Sequence, residues 1–578
     1  MTRFADSVLC SAGALAALLL PATGAAQGAR LVVDLHPSGS GGPSRMADWH
    51  GVTYLMANDG VNGYELWRTD GTAAGTTMVA DLRPGPVSSF PDEFTEVGDT
   101  LYFIATGPSG NGPYALDGFG GTPRLITPPA GSGYQGSARE LVRFDGRLFF
   151  TAASTGLERE LWATDGSQAG TVRVATIGVT STSFRPHEMT PSGDRLFFVR
   201  EDAGSNFALW VTDGSAAGTQ LVKAFTGGVT ARPLQSLTSI GQGRIVFAAD
   251  DGDGMEPWVS DGTAAGTTQL RDVEPGAAGS VPTEWTAVGT TVYFAARTGA
   301  TGNELWRTDG TAAGTAMVAD VRPGPADSDP SELCALGARV LFQARDGDGY
   351  ELFASDGTAA GTQQVKDVRP GFGSSRPHDI TATGSRFAYF AADDGSQGEE
   401  VWRTDGTEAG TVLVADVSPG RFGSLPGWFA LCGTTLLFAA QDGVVGTELW
   451  AADVPTSVHP LGYGCGDGVR EPQLTATDPV LGGTMTLSGH ELPASAVGAV
   501  LAGVGDVPFS LLGCRFYLQP ATIQTLVPFG TTSGGTFASS LPVPADPALR
   551  GLTFAVQAAV AGAVNLETTN GLRLGLGD

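Results

Sequence analysis

Basic residues are scarce in this 578-residue sequence. Lys and Arg total 33 against 60 Asp and Glu, so the formal net charge is −27 and the pI is near 4.5. No stretch concentrates positive charge, and a surface of this sign repels nucleic-acid phosphates. The balance excludes nucleic acid as a partner. The acidic surface has two possible roles: it is either a solvated exterior or a surface that also recruits cations.

Long apolar runs are missing beyond the N-terminus. There, Arg3 precedes a mostly apolar stretch over residues 8–20, and small residues lead up to Gln27. This pattern predicts a signal peptide over residues 1–26, and hence a secreted or cell-surface protein. No later segment approaches about 20 apolar residues, so we expect no membrane span.

Cysteines are few, and none has the spacing of a zinc site. Removal of the signal peptide leaves Cys334, Cys432, Cys465 and Cys514. Cys465 and Cys514 share the C-terminal region, and an oxidising compartment favours a disulfide between them. The other two occupy different offsets in a repeat, so we expect them to be buried thiols.

Catalytic motifs are also missing. The sequence has no GxSxG, HExxH or P-loop, and its six His are scattered. "GSGYQG" at residues 131–136 fits GxGxxG, but it leads into the strand-like "RLFFTA" where a dinucleotide site needs a helix. We therefore name no catalytic residue and expect no organic cofactor.

What the sequence does contain is glycine and a repeat. With 84 Gly and 16% charged residues, the chain is rich in turns and poor in solvated helices, which favours an all-β fold. Nine units align on an aromatic residue at intervals of 47 to 49 residues, and an Asp follows three positions later in every unit. The aromatic residues are Trp67, Tyr114, Trp162, Trp210, Trp258, Trp306, Phe353, Trp402 and Trp450.

Each unit contains four strand-length apolar runs separated by turn-forming residues. Between Ala316 and Gln363 these runs are "AMVADV", "SELCALG", "ARVLFQA" and "YELFASD". Four antiparallel strands in about 48 residues are typical of a propeller blade. We predict a β-propeller of about nine blades over residues 27–462, closed into one ring, with Leu31 to Leu35 as the outer strand of the last blade.

The "DGTxAGT" segment predicts a rigid hairpin between the third and fourth strands of a blade. Gly after the Asp permits a positive φ, and the Asp carboxylate can accept hydrogen bonds from following backbone N–H groups. The preceding Trp is expected to pack between blades. These structural corner residues are Trp67, Asp70, Trp162, Asp165, Trp210, Asp213, Trp258, Asp261, Trp306, Asp309, Asp356, Trp402, Asp405 and Trp450.

With its repeated "ELWRTDGTAAGT" at residues 65–76 and 304–315, the chain resembles the ELWxxDGT repeat proteins exported by bacteria. The resemblance covers roughly Leu31 to Asp453. Ala208 replaces the Glu of the motif in one unit, and the Tyr114 unit is degenerate. The resemblance implies the architecture and export, and it assigns no activity.

Residues 463–578 change character, because the repeat stops and small-residue-rich, strand-like segments replace it. We predict a C-terminal β-sandwich module that serves attachment, sorting or stability.

Two sets of variable loops are expected on one side of the disc, opposite the uniform corners. One set is the "RPGPxxS" loops between blades, and the other is the acidic "DGDG" loops between the second and third strands. Variable loops on a rigid scaffold favour binding, and carboxylates in Gly-rich turns can ligate Ca²⁺, although Asp-Gly is also a common hairpin turn. The candidate binding residues are Arg83, Asp250, Asp251, Asp253, Arg322, Asp346, Asp348 and Arg369.

The sequence leaves two functions open. One is a monomeric secreted or cell-surface propeller that binds a glycan, another surface polymer or a protein. The alternative is a propeller enzyme, a hydrolase or lyase, that acts on extracellular polysaccharide with carboxylates converging in three dimensions.

Overall fold

The computed structural model describes residues 28–118, 120–153, 159–175, 187–201, 207–225, 234–383, 386–432 and 435–453, and strand segments of the C-terminal region. The predicted signal segment lies outside them. Every regular element in this part of the chain is a β-strand, as predicted from the composition. It contains no helix with the length and apolarity that a membrane crossing requires.

Nine four-stranded antiparallel sheets form the blades of a propeller, which confirms the predicted fold. The first strand is β1 (Arg30–Val33), which belongs to blade 9. Blades 1 to 3 follow as β2 (Ser44–Trp49), β3 (Val52–Asn58), β4 (Tyr64–Thr69), β5 (Thr77–Ala80); β6 (Asp92–Val97), β7 (Thr100–Gly107), β8 (Gly110–Asp117), β9 (Arg124–Leu125); β10 (Arg139–Phe144), β11 (Arg147–Ala153), β12 (Arg159–Thr164), β13 (Val172–Ala175).

Blades 4 to 6 have the same order of strands. They are β14 (His187–Ser192), β15 (Arg195–Glu201), β16 (Phe207–Thr212), β17 (Gln220–Phe225); β18 (Leu234–Gly241), β19 (Arg244–Asp250), β20 (Met255–Ser260), β21 (Thr268–Gln269); β22 (Thr283–Val288), β23 (Thr291–Thr298), β24 (Gly302–Thr308), β25 (Ala316–Ala319).

Blades 7 to 9 complete the ring. They are β26 (Ser331–Leu336), β27 (Arg339–Arg345), β28 (Tyr350–Ser355), β29 (Gln363–Lys366); β30 (His378–Ala382), β31 (Ala388–Asp393), β32 (Glu399–Thr404), β33 (Val412–Ala415); β34 (Gly427–Cys432), β35 (Thr435–Gln441), β36 (Thr447–Asp453) with β1.

The chain closes the ring with its own N-terminal strand. β1 pairs antiparallel with β36, with Leu31 opposite Trp450, so the predicted outer strand of blade 9 is confirmed. The innermost strand of every blade contacts that of the next, and β34 of blade 9 contacts β2 of blade 1. The nine blades therefore form one closed ring.

The core lies between the blades rather than inside any one of them. The middle strands carry apolar residues on both faces, because each sheet is covered on both sides. Trp162 is fully buried among Tyr102 and Ile104 of blade 2 and Phe150 of its own blade, which confirms the predicted packing role of this Trp. A similar cluster joins blade 9 to blade 1 and includes Val32.

The two propeller cysteines are thiols, as predicted. Cys334 is half-buried, and Cys432 is buried. The Cys432 thiol donates to the Gly51 carbonyl oxygen, 3.3 Å away in blade 1, so it contributes to ring closure.

The C-terminal region has strands in three sheets. They are β37 (Ser457–Gly462), β38 (Gln473–Ala476), β39 (Thr484–His490), β40 (Val497–Gly503), β41 (Phe509–Leu511), β42 (Cys514–Phe516), β43 (Gln524–Gly530), β44 (Phe537–Pro542), β45 (Thr553–Ala561), β46 (Leu566–Thr568) and β47 (Gly571–Gly575). β37, β47, β45, β40 and β43 form one sheet in that order, with β46 beside β45. Cys465 lies outside the described residues, so its disulfide with Cys514 stays a prediction.

Candidate binding site

The corners between the third and fourth strands form rigid hairpins, as the sequence predicts. In blade 5, Asp261 Oδ1 accepts hydrogen bonds from Thr263 N at 2.8 Å and Thr263 Oγ1 at 2.7 Å. Gly262 follows the Asp with φ +83°, a conformation that favours glycine. The same bonds recur at Asp70, Asp213, Asp309, Asp356 and Asp405.

We expect Asp261→Ala to lower the free energy of unfolding by about 1–2 kcal/mol, because two hydrogen bonds to a carboxylate are lost. The Thr263 hydroxyl and backbone N–H hold the pKa of Asp261 below its usual value, so this stabilisation is present above the unfolded-state pKa and lost as the pH falls through the folded-state pKa. Urea denaturation at several pH values measures both effects. Asp253→Ala, at an exposed loop Asp, is the control, and equal stability of the two variants would contradict the corner role.

The Glu of six repeat units has a structural role that the sequence did not reveal. Glu304 is fully buried. Its carboxylate accepts hydrogen bonds from Val321 N at 2.8 Å, Ser328 N at 3.0 Å and Ser328 Oγ at 2.7 Å. Both partners belong to the loop that leads from blade 6 to blade 7. The carboxylate therefore clamps the interblade loop to its own blade.

The clamp recurs around the ring. Four further Glu side chains bind a Ser hydroxyl 24 residues later in the same way, namely Glu65 to Ser89, Glu256 to Ser280, Glu351 to Ser375 and Glu400 to Ser424. In blade 9, Glu448 instead accepts from the N–H groups of Leu35 and Gly41. The last clamp therefore holds the N-terminal segment that closes the ring.

The clamp carboxylates are desolvated. Burial raises the pKa of Glu304 to about 7, although the Ser328 hydroxyl and two backbone N–H groups favour the ionised form. Burial likewise raises the pKa of Glu256, Glu351 and Glu400.

Both sets of variable loops lie together on one face, as expected from the strand order. Asn303 lies at the start of β24, directly after the loop between β23 and β24. Its backbone N–H donates a hydrogen bond to Asp327 Oδ1 of the interblade loop, at 2.8 Å. Arg369 and Asp393 form the same kind of contact at 2.5 Å. We call this side of the ring the loop face.

The candidate binding residues are distributed over the loop face in different blades. Arg83 and Arg322 lie in the loops that follow blades 1 and 6, and Asp346 and Asp348 lie in blade 7. Arg322 contacts the Asp327 carbonyl oxygen of its own loop. Of the eight candidate residues, only Arg369 lines a cavity that opens at blade 8.

The acidic loop of blade 5 has a turn-forming Asp. Asp250 is fully buried, and its Oδ1 accepts from Gly252 N at 2.9 Å and Gly254 N at 3.2 Å, whereas Asp251 and Asp253 are exposed. Among the described residues, no group of three or more His, Cys, Asp or Glu is arranged to hold a metal ion. Calcium binding at these loops stays a prediction.

A cavity of about 530 Å³ opens on the loop face at blade 8. Its walls are the loops between β29 and β30 and between β33 and β34, together with the loop between β31 and β32. Phe372 and Phe422 are each 91% exposed at its rim, and Leu425 is 55% exposed. We call it the blade-8 cavity, defined by Arg369, Phe372, Arg376, Arg421, Phe422 and Leu425.

The blade-8 cavity is locally cationic. Its two acidic residues already have side-chain partners, because Asp393 pairs with Arg369 and Glu399 lies 3.2 Å from His378 Nε2. This contact with Glu399 raises the pKa of His378. Arg376 and Arg421 are exposed, and neither has an ion-pair partner among the described residues. Two guanidinium groups are thus available to an anion.

The walls of the blade-8 cavity are held rigidly. Ser375 and Ser424 anchor its two interblade loops to the clamp residues Glu351 and Glu400. Gly423 brings the two backbones so close together that a Cβ at this position would clash with the backbone N of Glu399. These contacts fix the backbone of both interblade loops that line the cavity.

The residues at the rim of this cavity differ from those at the equivalent positions of other interblade loops, and this difference is visible in the sequence. Phe372 and Arg421 each lie three positions before the clamp Ser of their loop. Other loops have Pro86, Ala277 and Pro325 at this position. Phe422 occupies the position of Val87, Ala278 and Ala326. An alignment of loop tips would have singled out these residues.

A second set of carboxylates lies on the innermost strands, where each blade has a β-bulge with one left-handed residue. Glu93 accepts from Leu141 N of the next blade at 2.9 Å, and Glu332 accepts from Asp379 N at 3.0 Å. These bonds join neighbouring blades, so the inner carboxylates have a structural role.

No protein-family model matches the chain, and no curated protein matches it. Among solved structures, it is similar to a mutant puromycin hydrolase complexed with PGG at 17% identity and a TM-score of 0.33, over 63% of this chain and 60% of that one. It is also similar to the β-propeller domain of the Trilobed protease from Pyrococcus furiosus, at 11% identity and a TM-score of 0.31, over 57% and 98% of the chains.

A GH74 enzyme from Niastella koreensis matches at 13% identity and a TM-score of 0.29, over 93% of this chain and 92% of that one. The chain spans about 60% of the length of the puromycin hydrolase. These likenesses concern the fold alone.

Proposed function

We propose that this protein is an exported binding propeller that holds an extracellular polymer against its loop face. The observation that carries this proposal is the contrast between a clamped, repetitive scaffold and the exposed side chains at the blade-8 cavity. Rigid scaffolds with variable loops are the usual arrangement of binding proteins. The resemblance to ELWxxDGT repeat proteins supports export of this protein. We propose that the chain belongs to that family.

The alternative is an enzyme that acts on extracellular polysaccharide. In the blade-8 cavity, Asp393 pairs with Arg369 and Glu399 lies 3.2 Å from His378 Nε2, so neither acid is without a partner there. We therefore favour binding without turnover. A C-terminal module of residues 463–578 would serve attachment, sorting or stability.

We expect the full mature chain to be retained by at least one polysaccharide on an array of bacterial and plant surface polymers, without release of shorter products. Hydrogen exchange with that polymer should show protection of the loop-face segments 83–90, 369–376 and 421–425. The corner segments 70–76 and 309–315 serve as the internal control. Protection of the corners alone would contradict the assignment of the loop face, and accumulating products would support the enzyme instead.

A further inference from the structure

We infer that the blade-8 cavity binds a carboxylated polysaccharide, an inference that rests on the proposed binding function. The charge of the site is the first reason. On a chain with net charge −27, Arg376 and Arg421 meet at one cavity without acidic partners among the described side chains. Arg forms charge-assisted, bidentate hydrogen bonds with carboxylates. The remaining surface repels an anionic ligand, so such a ligand is attracted where positive charge is concentrated, as at these two guanidinium groups.

The two phenylalanines supply the second reason. Phe372 and Phe422 are each 91% exposed, so they present ring faces at the rim and do not fill a pocket. Protein partners gain most of their affinity from anchors that are desolvated in well-packed pockets. A pyranose ring instead offers a flat C–H face that can lie on an exposed aromatic ring. A sugar chain with carboxylates therefore fits this site better than an acidic peptide does.

The position of these residues in the repeat is the third reason. Interblade loops elsewhere in the chain fold with Ala at the positions of Phe372 and Phe422, as Ala277 and Ala278 show. The fold does not require bulky or charged side chains at these tips. Their concentration in two adjacent loops, on either side of one cavity, is best explained by a ligand.

The test uses a galacturonate hexamer as the probe and its methyl ester as the matched ligand, because the ester removes the charge and keeps the sugar chain. Calorimetry with the full mature chain should detect binding of the acid form that weakens with added salt. We expect at least about 10-fold weaker binding of the ester, because charge-assisted bonds to guanidinium groups are lost.

The variants install residues that other blades carry at the same place. Phe372→Ala with Phe422→Ala matches Ala277 and Ala278. The second double variant is Arg376→Leu with Arg421→Ala. Leu is the residue at the equivalent Leu425, which has a similar positive φ, and Ala is the residue at the equivalent Ala277. Each double variant should keep its melting temperature and weaken binding of the acid hexamer about 10-fold or more. Val61→Ala, at an exposed loop tip of blade 1 outside the segments that the polymer is expected to protect, should leave binding unchanged.

The outcomes separate this inference from the proposed function. If the ester binds as well as the acid, or if a neutral polymer from the array protects residues 369–376 and 421–425, the anionic ligand is wrong and the binding function stands. If polyglutamate binds as tightly as the hexamer, the site recognises charge without sugar, which overturns the inference. If no polymer is retained at all, the proposed function fails.

Discussion

Glu304→Ala is expected to lower the free energy of unfolding by about 3–5 kcal/mol, because each buried donor that loses its acceptor costs about 1–3 kcal/mol. Val321 N, Ser328 N and Ser328 Oγ would all lose the carboxylate that they bind. Urea denaturation of the full chain measures the change. Glu408→Ala removes an exposed Glu from a corner and should change stability by less than about 0.5 kcal/mol.

Glu304→Gln isolates the effect of ionisation. Burial raises the folded-state pKa of Glu304 to about 7, so its titration contributes stability that is fully present below the unfolded-state pKa and is lost as the pH rises through about 7. The stability of the wild type relative to Glu304→Gln should therefore fall as the pH rises from the usual Glu range to neutrality. A difference that grows with pH would contradict the raised pKa of Glu304. An Ala variant as stable as the Glu408 control would contradict the clamp.

Removal of residues 27–35 from the mature chain is expected to open the ring. The missing β1 exposes the edge of β36, and an unpaired edge strand promotes self-association. It also removes Val32 and Leu35 from the cluster that joins blades 9 and 1, each worth about 1.5–3 kcal/mol of apolar burial. Light scattering should show oligomers, and the melting temperature should fall by several degrees or more.

A peptide spanning residues 28–36 should restore the monomer and the melting temperature when it is added to the shortened chain. The matched control is the same peptide with Val32→Asp, because the aspartate would be buried without a partner. A shortened chain that stays monomeric at the wild-type melting temperature would show that β1 is dispensable for closure.

The fold was predictable because its signals are local and repeated. The strands and the turns between them lie within 48 residues, and the corner bond joins Asp261 to Thr263, two residues away. The same reasoning placed the outer strand of blade 9 at the N-terminus. The clamp was not predictable from spacing, because the sequence pattern around Glu304 is the same whether its side chain is exposed or buried. Its partner Ser328 lies 24 residues away.

By itself, the sequence determined that this chain forms nine similar blades, seven of them with nearly identical corners, since the strands and turns of a blade lie mostly within one unit. The tertiary structure alone decided which side chains meet. Arg376 and Arg421 are 45 positions apart, in loops of different units, and they share a cavity because the blades pack side by side and the clamps fix the loops between them. Such a meeting depends on packing between units, which a pattern within one unit does not encode.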